Sequence, residues 1–99
     1  MSEYKLTNKA VSDLSKIWEH TFEVWSEKQA DNYYNELISD CEKLAENPDL
    51  GKNYKGISEQ LLGMKSNRHI IFYRILSTHC IEITRILHER MDLKNRLSE

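Results

Sequence analysis

Long apolar runs are missing from this 99-residue sequence: the longest is the four residues from Ile70 to Tyr73, where a membrane-spanning helix needs about 20. A transmembrane helix is thereby excluded. Cysteine is scarce too, because Cys41 and Cys80 are the only two and stand at no metal-like spacing. Neither a disulfide framework nor a zinc knuckle is expected. With three glycines in all, the chain has neither GxGxxG nor GxxxxGK[ST], so a phosphate-cradling loop of that kind is ruled out. The opening MSEYKLTNK is polar and lacks the apolar stretch of a secretory signal. These absences predict a reduced, cytoplasmic protein, and the length predicts one domain over residues 1–99.

Arginine is absent from the first 51 residues, which carry five lysines against eleven acidic residues, a net −6. Residues 52–99 carry nine Lys and Arg against five acids, a net +4, and the two parts give the overall −2. The split predicts that a nucleic acid or an acidic partner meets the second half, while ordinary scatter of surface charge is the plainer alternative. Hydrophobic residues at 39%, with two Trp, five Tyr and two Phe, are enough for a packed core.

Periodicity lays out the elements. Glu3 to Leu6 alternates as a half-buried strand. From Thr7, a plausible N-cap, Ala10, Val11, Leu14, Ile17, Trp18, Thr21 and Trp25 recur at helical steps. This stripe predicts Trp18 and Trp25 as core anchors. Ser26-Glu27-Lys28-Gln29 fits a capping box and starts a second helix with the stripe Ala30, Tyr33, Leu37, Ile38, Cys41, Leu44 and Ala45, ending at Asn47-Pro48-Asp49-Leu50-Gly51. Lys52 to Gln60 reads as a loop. Three strands follow, Leu61 to Lys65, His69 to Leu76 and Cys80 to Leu87, separated by Ser66-Asn67 and by Ser77-Thr78-His79, which suit hairpin turns. Asp92 to Leu97 forms one helical turn if Leu93 and Leu97 find a surface.

The order predicts an α+β fold: an N-terminal strand, an antiparallel helical hairpin, then a three-stranded antiparallel meander, with the hairpin on one sheet face. The other face has no built-in cover in this reading. Ile81 and Ile83 alternate with polar residues, but Ile86 and Leu87 are adjacent, which points to apolar surface left open there.

Catalytic constellations are sparse. His20, His69, His79 and His88 are scattered, Cys41 lies on an apolar stripe as a packed thiol, and the acidic residues form no evident pair. No metal, no cofactor and no catalytic residue is expected. What stands out is a basic group on the last three strands and just beyond: Lys65, Arg68, His69, Arg74, Arg85, His88 and Arg90. It contacts nucleic acid or an acidic protein surface, or it pairs across strands with Glu82 and Glu89.

Four segments, LTNKAVSDLSKIWEHT, WSEKQADNYYNELISDCEKLAENPDLG, HIIFYRI and ITRILHERMDLKNRL, make the chain resemble the RelE/ParE toxin superfamily, and specifically its ParE branch. The last segment is the most specific. The resemblance implies a toxin of a bacterial type II toxin-antitoxin system that binds DNA gyrase and stabilises its cleaved-DNA complex. It also implies a cognate ParD-like antitoxin, a role for nucleic acid only through the gyrase–DNA complex, and no membrane partner. The alternative, a ribosome-dependent mRNA endoribonuclease of the RelE branch, needs two arginines and a tyrosine, and the matching positions fall near Ile70, Glu89 and Asn95. Arg68, Arg74, Arg85, His88, Arg90, Asp92 and Arg96 are the candidates for facing the target or the antitoxin. For Asp92 the competing role is capping the tail helix.

Overall fold

The computed structural model describes residues 2–54, 56–57 and 60–97. Five strands and three helices follow the predicted order: β1 (Glu3–Leu6), α1 (Asn8–Val24), α2 (Glu27–Glu46), β2 (Lys52–Asn53), β3 (Leu62–Ser66), β4 (His69–Ser77), β5 (Cys80–His88) and α3 (Leu93–Leu97), with a 3-10 turn at Pro48–Leu50. The stretch read as a loop from Lys52 to Gln60 contributes β2, which pairs through Lys52 and Asn53 with Gly63 and Leu62. Lys55, Ser58 and Glu59 of that loop lie outside the described residues.

Both predicted helix starts are made by the residues that signalled them. Thr7 is extended, at φ −69° and ψ 162°, and its hydroxyl accepts from the Ala10 N–H at 3.1 Å while donating to the Thr84 carbonyl at 2.7 Å. One side chain therefore caps α1 and ties it to β5. Ser26 accepts from the Gln29 N–H at 3.1 Å and opens α2. The tight β3–β4 turn uses Asn67 at φ 54°, a left-handed conformation that asparagine tolerates. Asn67 Nδ2 also donates to Glu36 of α2 at 2.6 Å, which fixes the turn against the hairpin.

The sheet order is β1-β5-β4-β3-β2. β3, β4 and β5 form the antiparallel meander, and β1 adds in parallel beside β5, with Tyr4 opposite Ile81 and Leu6 opposite Ile83. The pairing register slips between Phe72 and Tyr73, so that Phe72 faces Arg85 and Tyr73 faces Ile83, leaving Thr84 as a bulge. The slip changes the face parity of β5. Ile86 thereby joins Ile81 and Ile83 under the hairpin, and Leu87 turns to the opposite face. The adjacent apolar pair in the sequence is the mark of this bulge, not of exposed surface.

Two cores result. Ala10 and Leu14 of α1 and Leu37, Cys41, Leu44 and Ala45 of α2 pack on Ile71, Tyr73, Ile81, Ile83 and Ile86. On the other face Leu61, Ile70, Phe72 and Leu87 are covered by Tyr54, Ile57, Leu93 and Leu97. The expectation of a bare second face is therefore corrected: the segment around Tyr54 and the α3 leucines close it. Gly63 permits this, since a Cβ there would lie 2.6 Å from the Tyr54 ring, closer than atoms can approach.

Trp25 corrects another expectation. It is the residue just past the end of α1, before α2 begins, and is 72% exposed. Trp18 is half-buried, stacks on Phe22 at 5.3 Å and donates its indole N–H to Asp31 at 3.0 Å. It fastens α1 to α2 at the turn end of the hairpin, outside the main core.

Candidate functional site

Where α1 passes the end of β5, a cavity of about 450 Å³ opens. One edge of α1 supplies Asp13, Lys16, Ile17, His20 and Thr21, which succeed one another at helical steps. β4 supplies His69, and the chain from Arg85 to His88, with Arg90, Met91 and Arg96, completes the wall.

The base of this cleft is an ion pair. Arg85 reaches Asp13 with two bonds, Nε to Oδ2 at 2.8 Å and an Nη to Oδ1 at 3.1 Å, and the Ile86 N–H also donates to Oδ2 at 3.0 Å. Both side chains are largely withdrawn from water, at 14% and 9% exposure. A fork-on-fork geometry with each carboxylate oxygen occupied is what a desolvated pair requires. Another Nη of Arg85 donates to the Arg96 carbonyl at 2.9 Å and holds the tail against the cleft.

His69 and His88 are register partners on β4 and β5, and their rings meet edge-to-face at 5.3 Å. The Tyr33 hydroxyl lies 2.6 Å from His69 Nδ1. That phenol also accepts from the Arg68 N–H at 3.3 Å, and which of the phenol and Nδ1 donates to the other is set by the imidazole tautomer. Burial, reinforced by His88, pushes His69 down to about 4, while Asp13 and Glu89 act weakly the other way. Burial also raises the Tyr33 hydroxyl above its ordinary value. In the second ring, His88 Nδ1 accepts from the Arg90 N–H at 3.1 Å.

A pH dependence follows. The unfolded chain takes up a proton at His69 near the ordinary value of 6.5, whereas the folded chain resists until about 4. Folding stability is complete above 6.5 and is lost as pH falls from there towards 4, by about 1–2 kcal/mol after discounting for solvent screening. Urea unfolding at about pH 7 and about pH 4.5 should show that difference, and His69→Gln should shrink it. An unchanged difference in the variant would assign the effect to other groups.

The predicted residues separate into two sets. Arg85, His88, Arg90 and Arg96 converge on the cleft. Arg74 does not: it pairs with Glu82, its cross-strand partner, at 2.5 Å. Arg68 sits in the β3–β4 turn, where its carbonyl accepts from the Glu89 N–H. Asp92 accepts from the Asn95 N–H at 3.4 Å and from Asn95 Nδ2 at 2.7 Å, so it takes the capping role. Glu89 in turn pairs with Lys65 at 3.3 Å. Cross-strand pairing thus accounts for part of the basic group. Cys41 is buried, and burial pushes its thiol up to about 12, which leaves no thiolate for nucleophilic work at neutral pH.

Sequence reading missed Asp13, Lys16, His20 and Tyr33. The signal was present: Asp13, Lys16 and His20 run along the border of the α1 apolar stripe at steps of three and four.

A family model described as the ParE toxin of the type II toxin-antitoxin system parDE matches residues 4–93. The chain belongs to the ParE toxin family. Toxin ParE1 of Mycobacterium tuberculosis is 32% identical over 96 residues, covering 97% of this chain and 98% of that one. Toxin ParE1 of Caulobacter vibrioides is 32% identical over 97 residues, covering 98% and 99%. Among solved structures, a chain of the chromosomal ParDE system of P. aeruginosa superposes with a TM-score of 0.76 at 19% identity, covering 89% of this chain and 96% of that chain. A chain of the RelBE2 toxin-antitoxin complex of Mycobacterium tuberculosis gives 0.67 at 18% identity, covering 89% and 98%. At such identities these two likenesses concern the fold of the ParE-family chain and nothing finer. Within it, no described helix is long and apolar enough to cross a membrane.

Proposed function

We propose that this ParE-family toxin inhibits DNA gyrase by binding and stabilising its cleaved-DNA complex, and that a cognate antitoxin neutralises it. The observation that carries the reading is the family match, which runs through β5 and into the tail, the segment most specific in the sequence. A partner antitoxin is supported by the ParDE and RelBE2 systems that share the fold.

Inhibition by binding, with no reaction catalysed by the toxin, is favoured by three positions. Ile70, Glu89 and Asn95 fall near the positions where the RelE-type alternative needs two arginines and a tyrosine. Here Ile70 is buried in the second core, Glu89 is paired with Lys65, and Asn95 is bonded to Asp92. None offers a cation to a reacting phosphate or a phenol to a leaving oxygen. The exposed Arg90 and the neighbouring Arg68 remain as contacts for the target or the antitoxin; Arg74, Arg85, Asp92 and Arg96 have partners within the fold.

Purified gyrase with relaxed plasmid and ATP tests this. Increasing toxin should abolish supercoiling and accumulate linear DNA, and induced cells should filament while protein synthesis continues. Undisturbed supercoiling by the folded protein, with translation halted in induced cells, would sink the gyrase reading.

A further inference from the structure

The cleft beside α1 has one chemical bias. Its carboxylate, Asp13, has both oxygens occupied by Arg85 and the Ile86 N–H. His69 Nδ1 is taken up by the Tyr33 hydroxyl, and His88 Nδ1 accepts from the Arg90 N–H. The His88 ring then retains Nε2–H, a donor. Lys16 and Arg90 add two full cations on the exposed rim, and neither carries an ion pair among the described residues. Lys16, Arg90 and the His88 ring thus bring donors to the cavity, which fits an anion with several oxygens. Two cations with a ring N–H exceed what one carboxylate, with a single charge and two oxygens, takes up. They suit a phosphate. Ile17 and Met91, which also line the space, give the organic part of a phosphate ester apolar contact. The space, about 450 Å³, is of the size of small-ligand sites.

We infer that this cleft is a binding site for a phosphate ester, held by Lys16, Arg90 and the Nε2–H of His88, with the His69 ring beside it. It is a binding site only, separate from the gyrase reading, and stands or falls without it. The ester is either a free nucleotide or the phosphorylated end of a nucleic-acid strand, and the shared chemistry is the phosphate on an apolar, ring-bearing group.

Titration of the full chain with adenosine 5′-monophosphate, followed by the imidazole NMR signals of His69 and His88, tests the site; adenosine and a 5′-phosphorylated DNA trinucleotide are run alongside. Saturable movement of both rings with the phosphorylated compounds, and none with adenosine, is expected. Lys16→Ala and Arg90→Ala, both on the exposed rim, should each weaken binding by about tenfold or more, and Arg74→Ala, on the remote cross-strand pair, should leave it unchanged. Tighter binding of the trinucleotide assigns the ligand to nucleic acid, and equal binding assigns it to the free nucleotide. Absence of saturable movement up to about 10 mM, equal movement with adenosine, or Lys16→Ala and Arg90→Ala binding as well as the unaltered chain would each overturn the site.

Discussion

Asp13→Ala is expected to destabilise the protein by about 3–5 kcal/mol, the cost of leaving a buried arginine without its counter-ion. The carboxylate satisfies three donors at once, two on Arg85 and one on the Ile86 backbone. Its loss therefore strands a charge at the cleft base and an N–H in the β5 ladder. The attraction between the two charges is not the main quantity here, because desolvation opposes most of it. A double variant shows the difference. Asp13→Ala combined with Arg85→Met should be less destabilised than Asp13→Ala alone, since the stranded cation is gone and an apolar chain takes its place. Urea unfolding measures both. A loss below about 1 kcal/mol for Asp13→Ala would mean that water solvates the pair, as it does for surface ion pairs.

Phe72→Ala should cost about 3–5 kcal/mol and release the tail with it. Phe72 is fully buried at the centre of the second core, edge-to-face with Tyr54 at 5.1 Å, and the same cluster holds Leu93 and Leu97. α3 is five residues long, too short to be stable without a surface. Hydrogen exchange at the α3 amides should rise far more in Phe72→Ala than in Leu44→Ala, which makes a cavity of similar cost under the hairpin, on the opposite face. Equal exchange in the two variants would show that the tail is held by the Arg85 bond to the Arg96 carbonyl and not by the second core.

Much of this architecture can be read from local patterns. The α2 stripe from Ala30 to Ala45 is buried or half-buried along its whole length, because a 3.6-residue period on one face leaves only one way to hide apolar area. Thr7 and Ser26 cap as expected, since a hydroxyl three residues before an open N–H needs no distant partner. The α1 stripe is less faithful: it includes Trp25, which is exposed past the helix end, and Val11, which is half exposed. Periodicity identifies a face but not where the neighbouring element stops covering it.

The candidate cleft was only half legible. Arg85, His88, Arg90 and Arg96 could be picked out because they cluster in sequence near the end of β5 and the tail. Asp13 could not, because an aspartate on a helix is ordinarily solvated, and its partner is Arg85, separated by 72 positions. The hydrogen-bond partner of His69 is likewise distant, being Tyr33 from α2.

The sequence by itself determined the strand-helix-helix-meander order, both helix starts, the charge asymmetry and the family, all of which rest on spacing along the chain or on residue types in contiguous segments. The tertiary structure alone decided the parallel seat of β1 beside β5, the Thr84 bulge that sorts Ile86 from Leu87, the closing of the second face by α3, and the pairing of Asp13 with Arg85. Each of these is settled by which distant surfaces meet and what they exclude from water. The cost of an unpaired buried charge or an uncovered apolar face exists only once those surfaces are in contact.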